Sequence, residues 1–183
     1  MKDKGKLLIL LLVGSETFFF ISLIIAYVYY RNFTNTVDTV AQTLDATRAG
    51  IFTLFLIASS ATLIVAKNAL KKDNRKRFKI FLVLTVLLGV IFISGQIGEY
   101  IGLYQKQITL DSDVFGSSFF TLTGFHGLHV ILGLIALTII FILSIGKMER
   151  VGVAAFSGMD VYWHFVDVVW IFVFYFVYII PLL

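Results

Sequence analysis

Four groups of polar or ionisable side chains interrupt otherwise apolar stretches of this chain, and any chemistry it performs would be sought there. Glu16 stands about nine residues into a long apolar run, with Leu12, Val13, Phe19, Phe20 and Leu23 as its helical neighbours. An acid in that setting is either a proton-handling or lipid-facing group, or a carboxyl satisfied by one hydrogen bond to another helix. The sequence leaves both readings open. His126 and His129 are three apart and share a helix face that Gly133 continues. A metal or haem would be the sharpest reading of such a pair. Metal sites in helical bundles, however, draw ligands from several helices, often through Glu-x-x-His pairs. No carboxylate here has matching spacing, and the chain holds three histidines in all. The pair therefore reads as packing histidines that bond a neighbouring helix or a lipid headgroup, and no metal is expected.

His164 and Asp167 repeat the three-residue spacing, with Trp163 and Trp170 seven apart on another face. A local imidazole–carboxylate pair would satisfy both groups; proton relay and headgroup contact are the alternatives. Gln96 and Glu99 form the last polar patch, beside Gly95, Gly98 and Gly102, whose missing side chains let helices approach closely. Cysteine is absent, which excludes disulfides, thiolate metal sites, iron–sulfur clusters and a cysteine nucleophile. There is no nucleotide-binding loop, no nucleophile–base constellation and no pair of catalytic carboxylates.

The elements that must position these residues follow from composition. Of 183 residues, 59% are hydrophobic and 14% charged, and the mean hydropathy is +0.95. Soluble domains sit near 45–50% apolar and about 25% charged, and a fold this short leaves too much surface wet to hide the excess. The chain is expected to be a membrane protein. The apolar runs are continuous rather than alternating, so they predict helices and not a β-barrel. A spanning helix needs roughly 20 apolar residues, and five segments qualify, over about 7–30, 49–70, 78–104, 116–146 and 160–182. The expected architecture is all-α, a single domain over 1–183 built as a bundle of five transmembrane helices.

Lys2, Lys4 and Lys6 ahead of an apolar run resemble a signal peptide, but the run is too long and carries Glu16; it is expected to be a retained first helix. Twelve basic residues fall on one side of the expected membrane: those three, then Lys67, Lys71, Lys72, Arg75, Lys76, Arg77 and Lys79, then Lys147 and Arg150. Arg31, Arg48 and Lys106 fall on the other. Short loops rich in Lys and Arg stay in the cytoplasm. The N-terminus is thus expected inside and the C-terminus outside. The 67–79 stretch reads as a solvated loop that sets topology, and nucleic acid is not expected as a partner.

Beyond this point resemblance carries the reading. The stretch Ile108–Gly133, ITLDSDVFGSSFFTLTGFHGLHVILG, followed by Tyr162–Phe174, YWHFVDVVWIFVF, resembles subunit III of haem–copper terminal oxidases. GSETFFFISLIIAYVY resembles the first helix of that pattern and places Glu16 on its buried glutamate. The segments ASSATLIVAKNALKKDNRKRF and GQIGEY fit as well, so the likeness covers nearly the whole chain. Longer members have seven helices with phospholipids in a cleft. This sequence matches the last five and is similar to short bacterial forms from cytochrome c and quinol oxidases.

The resemblance implies an accessory, non-redox subunit of an enzyme that reduces O2 to water and pumps protons. Haems and copper would lie in partner subunits, since a haem–copper core needs far more than three histidines and a dinuclear copper site needs cysteines. Expected partners are oxidase subunits I and II, a small subunit IV, and phospholipid, in the plasma membrane of a bacterium. The expected tasks are stabilising subunit I, binding lipid and supporting proton uptake. Glu16 would be the proton-related acid, and Glu99, His126, His129, Trp163, His164 and Asp167 would make lipid or interhelix contacts. Accessory service to a nitric oxide reductase is an alternative. An independent transporter using Glu16 as its carrier acid is disfavoured, because inverted repeats and broken helices are not visible.

Overall fold

The computed structural model describes residues 2–33, 44–111, 114–145 and 153–182, with side chains over 7–32, 44–111, 114–145 and 156–182. Five helices follow one another: α1 Lys2–Phe33, α2 Ala46–Lys71, α3 Arg75–Gln105, α4 Val114–Ile145 and α5 Val153–Phe174. A π turn, Tyr175–Ile179, and a short 3-10 turn, Ile180–Leu182, continue α5. Each helix is long and apolar enough to cross a membrane. Even the 22-residue α5 rises about 33 Å at 1.5 Å per residue, more than the roughly 30 Å hydrocarbon core. The chain is a multi-pass membrane protein, and no strand occurs among the described residues.

Local chemistry sets the helix ends. Asp45 caps α2 by accepting from the Arg48 N–H at 2.9 Å, and Asn74 caps α3 by accepting from the Arg77 N–H at 3.1 Å, each satisfying an orphan donor of the first turn. Between α2 and α3, Asp73 takes the left-handed conformation with φ 54°, which a short polar side chain tolerates. The first helix starts at Lys2 rather than near 7, and the largest departure from expectation is at the last helix. The last helix begins at Val153 rather than near 160, because Ser157, Gly158 and Asp160 lower the local hydropathy without breaking the helix. The expected connections around Asn35 and Gly152, and the side chains of Lys2, Lys4, Lys6, Lys147 and Arg150, lie outside the described residues.

In the bundle, α2 and α3 form a hairpin, α4 packs on α1, α3 and α5, and α5 packs on α1, α2 and α4. Trp163 of α5 locks this arrangement. It is fully buried, and its indole N–H donates to Ser59 Oγ of α2 at 3.0 Å. The ring lies against two glycines: a Cβ on Gly89 of α3 would come within 3.1 Å of it, and one on Gly133 of α4 within 2.8 Å. At Gly133 the indole occupies the space a side chain would need, and at Gly89 Leu134 Cδ2 would come closer still, at 2.7 Å. A single side chain thus touches three other helices. Facing outward are large apolar residues such as Leu11, Phe18, Ile25, Leu54, Leu87, Ile142 and Phe172, the surface a bilayer would wet.

Candidate functional site

Glu16 bridges α1 to α4. Its Oε2 lies 3.2 Å from His129 Nε2, and His129 Nδ1 lies 2.7 Å from the Phe125 carbonyl oxygen one turn back. A carbonyl has no hydrogen to give, so Nδ1 must carry one and donate it. The contact between Nε2 and Oε2 then requires one proton, held either on the acid or on the imidazole. Either way the pair is neutral as a unit. Tyr162 of α5 adds its hydroxyl to the His129 carbonyl at 3.1 Å. Glu16 is 30% exposed and His129 13%. The acid therefore makes one interhelical hydrogen bond and keeps an exposed edge.

His126 points elsewhere. It is buried at 1% exposure and stacks on Trp170 with ring centroids 4.8 Å apart and an interplanar angle of 29°. Neither ring nitrogen has a hydrogen-bond partner among the described residues. The three-residue spacing thus sends one histidine to α1 and the other into the core, so the pair does not converge on one point.

A second polar seam runs between α2 and α5. Asp160, His164 and Asp167 occupy positions i, i+4 and i+7 on α5 and face Lys67 and Ser60 of α2. Lys67 Nζ meets Asp160 Oδ2 at 2.5 Å, and His164 Nε2 stands 3.6 Å from Asp160 Oδ1. Ser60 Oγ lies 2.8 Å from His164 Nδ1 and donates to Asp167 Oδ2. The expected local pairing of His164 with Asp167 is therefore replaced by a shared bond to Ser60, with Asp160 as the ionic neighbour of the imidazole. The reason is geometric: α2 sits against this face and offers a hydroxyl to both groups. Trp170 completes the seam by donating to Thr53 Oγ1 at 2.9 Å.

Asp160, Lys67, Ser59, Ser60 and Thr53 were not singled out from the sequence. Asp160 had a legible signal, its seven-residue spacing to Asp167, but the expected helix began at its position. Lys67 was counted only as a topology signal, and isolated hydroxyls in apolar helices carry no marker at all.

The third site is at the opposite end of α3. Glu99 Oε2 accepts from Tyr178 at 2.6 Å, and Tyr100 shares a 2.8 Å hydrogen bond with Thr123. Buried Arg31 donates to the Phe176 carbonyl at 3.1 Å, within the π turn where the regular backbone ladder changes register. Of the glycines beside Glu99, Gly95 receives the Phe52 ring and Gly98 the Arg48 guanidinium, while nothing lies within 4 Å of a Cβ on Gly102. Asp45, Arg48, Glu99 and Lys106 surround a mixed-charge cavity of about 240 Å³.

Two apolar grooves flank the Glu16–His129 bridge. One, of about 540 Å³, is lined by Leu8, Ile9, Leu12, Ile139, Ile140 and Tyr162. The other, of about 400 Å³, lies between α1 and the first turns of α4, with Leu23, Ala26, Tyr30, Ser117 and Thr121 on its walls. Among the described residues no three His, Asp or Glu side chains converge as a metal site requires. The arrangement ties polar groups between helices and offers apolar channels at its surface.

Comparison with known proteins gives a consistent picture. The family model for cytochrome c oxidase subunit III matches residues 2–181. Cytochrome c oxidase subunit 3 of Corynebacterium diphtheriae is 39% identical over 141 residues, which cover 76% of this chain and 69% of that protein. The Bacillus subtilis protein of the same name is 33% identical over 171 residues, 92% of this chain and 83% of the relative. The Triticum aestivum protein is 41% identical over 127 residues, but the match spans only 47% of its length.

Proposed function

The chain belongs to the cytochrome c oxidase subunit III family, and from that premise we propose that it acts as the accessory, non-redox subunit of a respiratory oxidase in a bacterial plasma membrane. In this reading it docks on the subunits that carry haem and copper, holds phospholipid at their edge and supports proton uptake. The observation that carries the reading is that the three histidines stand in three separate places and do not converge. His126 is stacked on Trp170, His129 is bonded to Glu16, and His164 is held by Ser60. With no cysteine in the chain, the ligands that haem iron and copper require must come from partner chains.

The finer assignments rest on geometry. The grooves beside α1 are the proposed lipid seats: their walls are apolar, and Gly158 lets Ile9 close against α5, where a Cβ would meet it at 2.6 Å. Glu16 and His129 stand between the two grooves and share a hydrogen bond, which is the basis for giving them the proton-related role. The basic α2–α3 hairpin is proposed to face the cytoplasm, because Lys and Arg are retained on that side. An affinity tag on this chain tests the assembly directly. Mild detergent extraction should recover haem- and copper-bearing polypeptides with it, whereas elution of the chain alone would defeat the reading.

A further inference from the structure

The most strongly charged surface of the molecule is the α2–α3 hairpin. Lys71, Lys72, Arg75, Lys76, Arg77 and Lys79 fall within nine positions that contain one acid, Asp73. Asp73 is engaged by Arg75, 2.9 Å from Oδ1 to Nε, so none of the described carboxylates is left to answer Lys72 or Arg77. A cavity of about 330 Å³ opens between the two helix ends, lined by Val65, Asn68, Ala69, Lys72, Asn74 and Arg77. This is the small end of the range for ligand sites, about 300–1,000 Å³; it suits a headgroup and excludes a whole lipid.

Its chemistry favours an anion. Carbonyls at the end of α2 would repel one, but those of Asn68, Leu70 and Ala69 already accept from the N–H groups of Lys72, Asp73 and Asn74 at 3.2, 3.1 and 2.9 Å. On the other wall, the positive end of the α3 dipole faces the opening. Asn74 spends its Oδ1 on the Arg77 N–H, which leaves its side-chain NH2 to donate. The Arg77 guanidinium lies over the Phe81 ring, 5.5 Å from the centroid, and is held at the rim. Both spans end here, so the cavity sits where hydrocarbon gives way to headgroups, with Val65 and Ala69 as an apolar floor toward the membrane.

We propose that this cavity binds the phosphate headgroup of an anionic phospholipid, with Lys72 and Arg77 as its cationic clamp. The site lies on a different pair of helices from the grooves beside α1 and does not depend on their role. A test compares two variants of the intact detergent-solubilised complex, each lacking two charges from the same hairpin. Lys72→Gln/Arg77→Gln empties the clamp; Lys71→Gln/Lys76→Gln leaves it. Each is equilibrated with micelles carrying phosphatidylglycerol or phosphatidylcholine, and retained lipid is counted by native mass spectrometry. Because both variants lose the same charge, attraction to the anionic micelle surface falls equally in both and only a site distinguishes them. One phosphatidylglycerol should be held about tenfold less well by the clamp variant and within about twofold of wild type by the other, as charge contributions near the headgroups imply. Equal loss in both variants, no loss in either, equal retention of phosphatidylcholine, or displacement by inorganic phosphate alone would each overturn the proposal.

Discussion

A proton shared between Glu16 and His129 bridges the first helix to α4, and the requirement for that proton comes from the Phe125 carbonyl that accepts from the other ring nitrogen. Glu16→Gln keeps a donor for Nε2, so the variant complex should melt within about 0.5 kcal/mol of wild type; Glu16→Ala leaves Nε2 unpaired and should cost about 1 kcal/mol while still assembling. Thermal unfolding of the solubilised complex reads the difference. Glycines divide in the same way. Gly133→Ala forces a methyl to 2.8 Å from the buried Trp163 ring and should destabilise by about 1–3 kcal/mol. Gly127→Ala on the same helix meets nothing within 4 Å and should be neutral or gain about 0.5–1 kcal/mol. Comparable melting of the two variants would remove Trp163 from its locking role. Glu16 was legible because an acid in an apolar run is conspicuous, but its partner was not. His129 is 113 residues away, and only packing decides whether it or His126 turns toward α1.

At the scale of elements, α5 is keyed to α2 by side chains that alternate along one seam: Trp170 on Thr53, Asp167 and His164 on Ser60, Trp163 on Ser59, Asp160 on Lys67. Asp160 is 4% exposed and Lys67 27%. Lys67→Met should therefore strand a buried carboxylate and cost about 3 kcal/mol, whereas Lys67→Met/Asp160→Leu should recover most of the loss. A double variant no more stable than the single one would show that the pair does not hold the seam. The helices themselves were readable within a few residues, since long continuous apolar runs admit little else. Their faces were not. In a bilayer both the lipid side and the core side are apolar, so the periodicity that orients a soluble helix is erased. The seam depended on hydroxyls and on a lysine whose more obvious meaning was topological.

For the whole molecule, the balance of twelve basic residues against three is expected to orient all five helices together. Single cysteines at Asn74 and Lys106, at opposite ends of α3, should react with impermeant reagents from the cytoplasmic and outer side respectively; labelling from the same side would break the bundle topology. The central claim concerns what this chain contributes to the complex it joins. On the proposed reading the redox centres belong to partner chains, and the grooves and polar bridges of this chain serve durability and proton supply. The most direct measurement is to purify the complex with and without this chain and record the haem spectrum together with oxygen consumption over many turnovers. The expected result is an unchanged spectrum, normal initial electron transfer and fewer turnovers before inactivation. Loss of a haem band on removing the chain, or a stripped complex as durable as the intact one, would contradict the account.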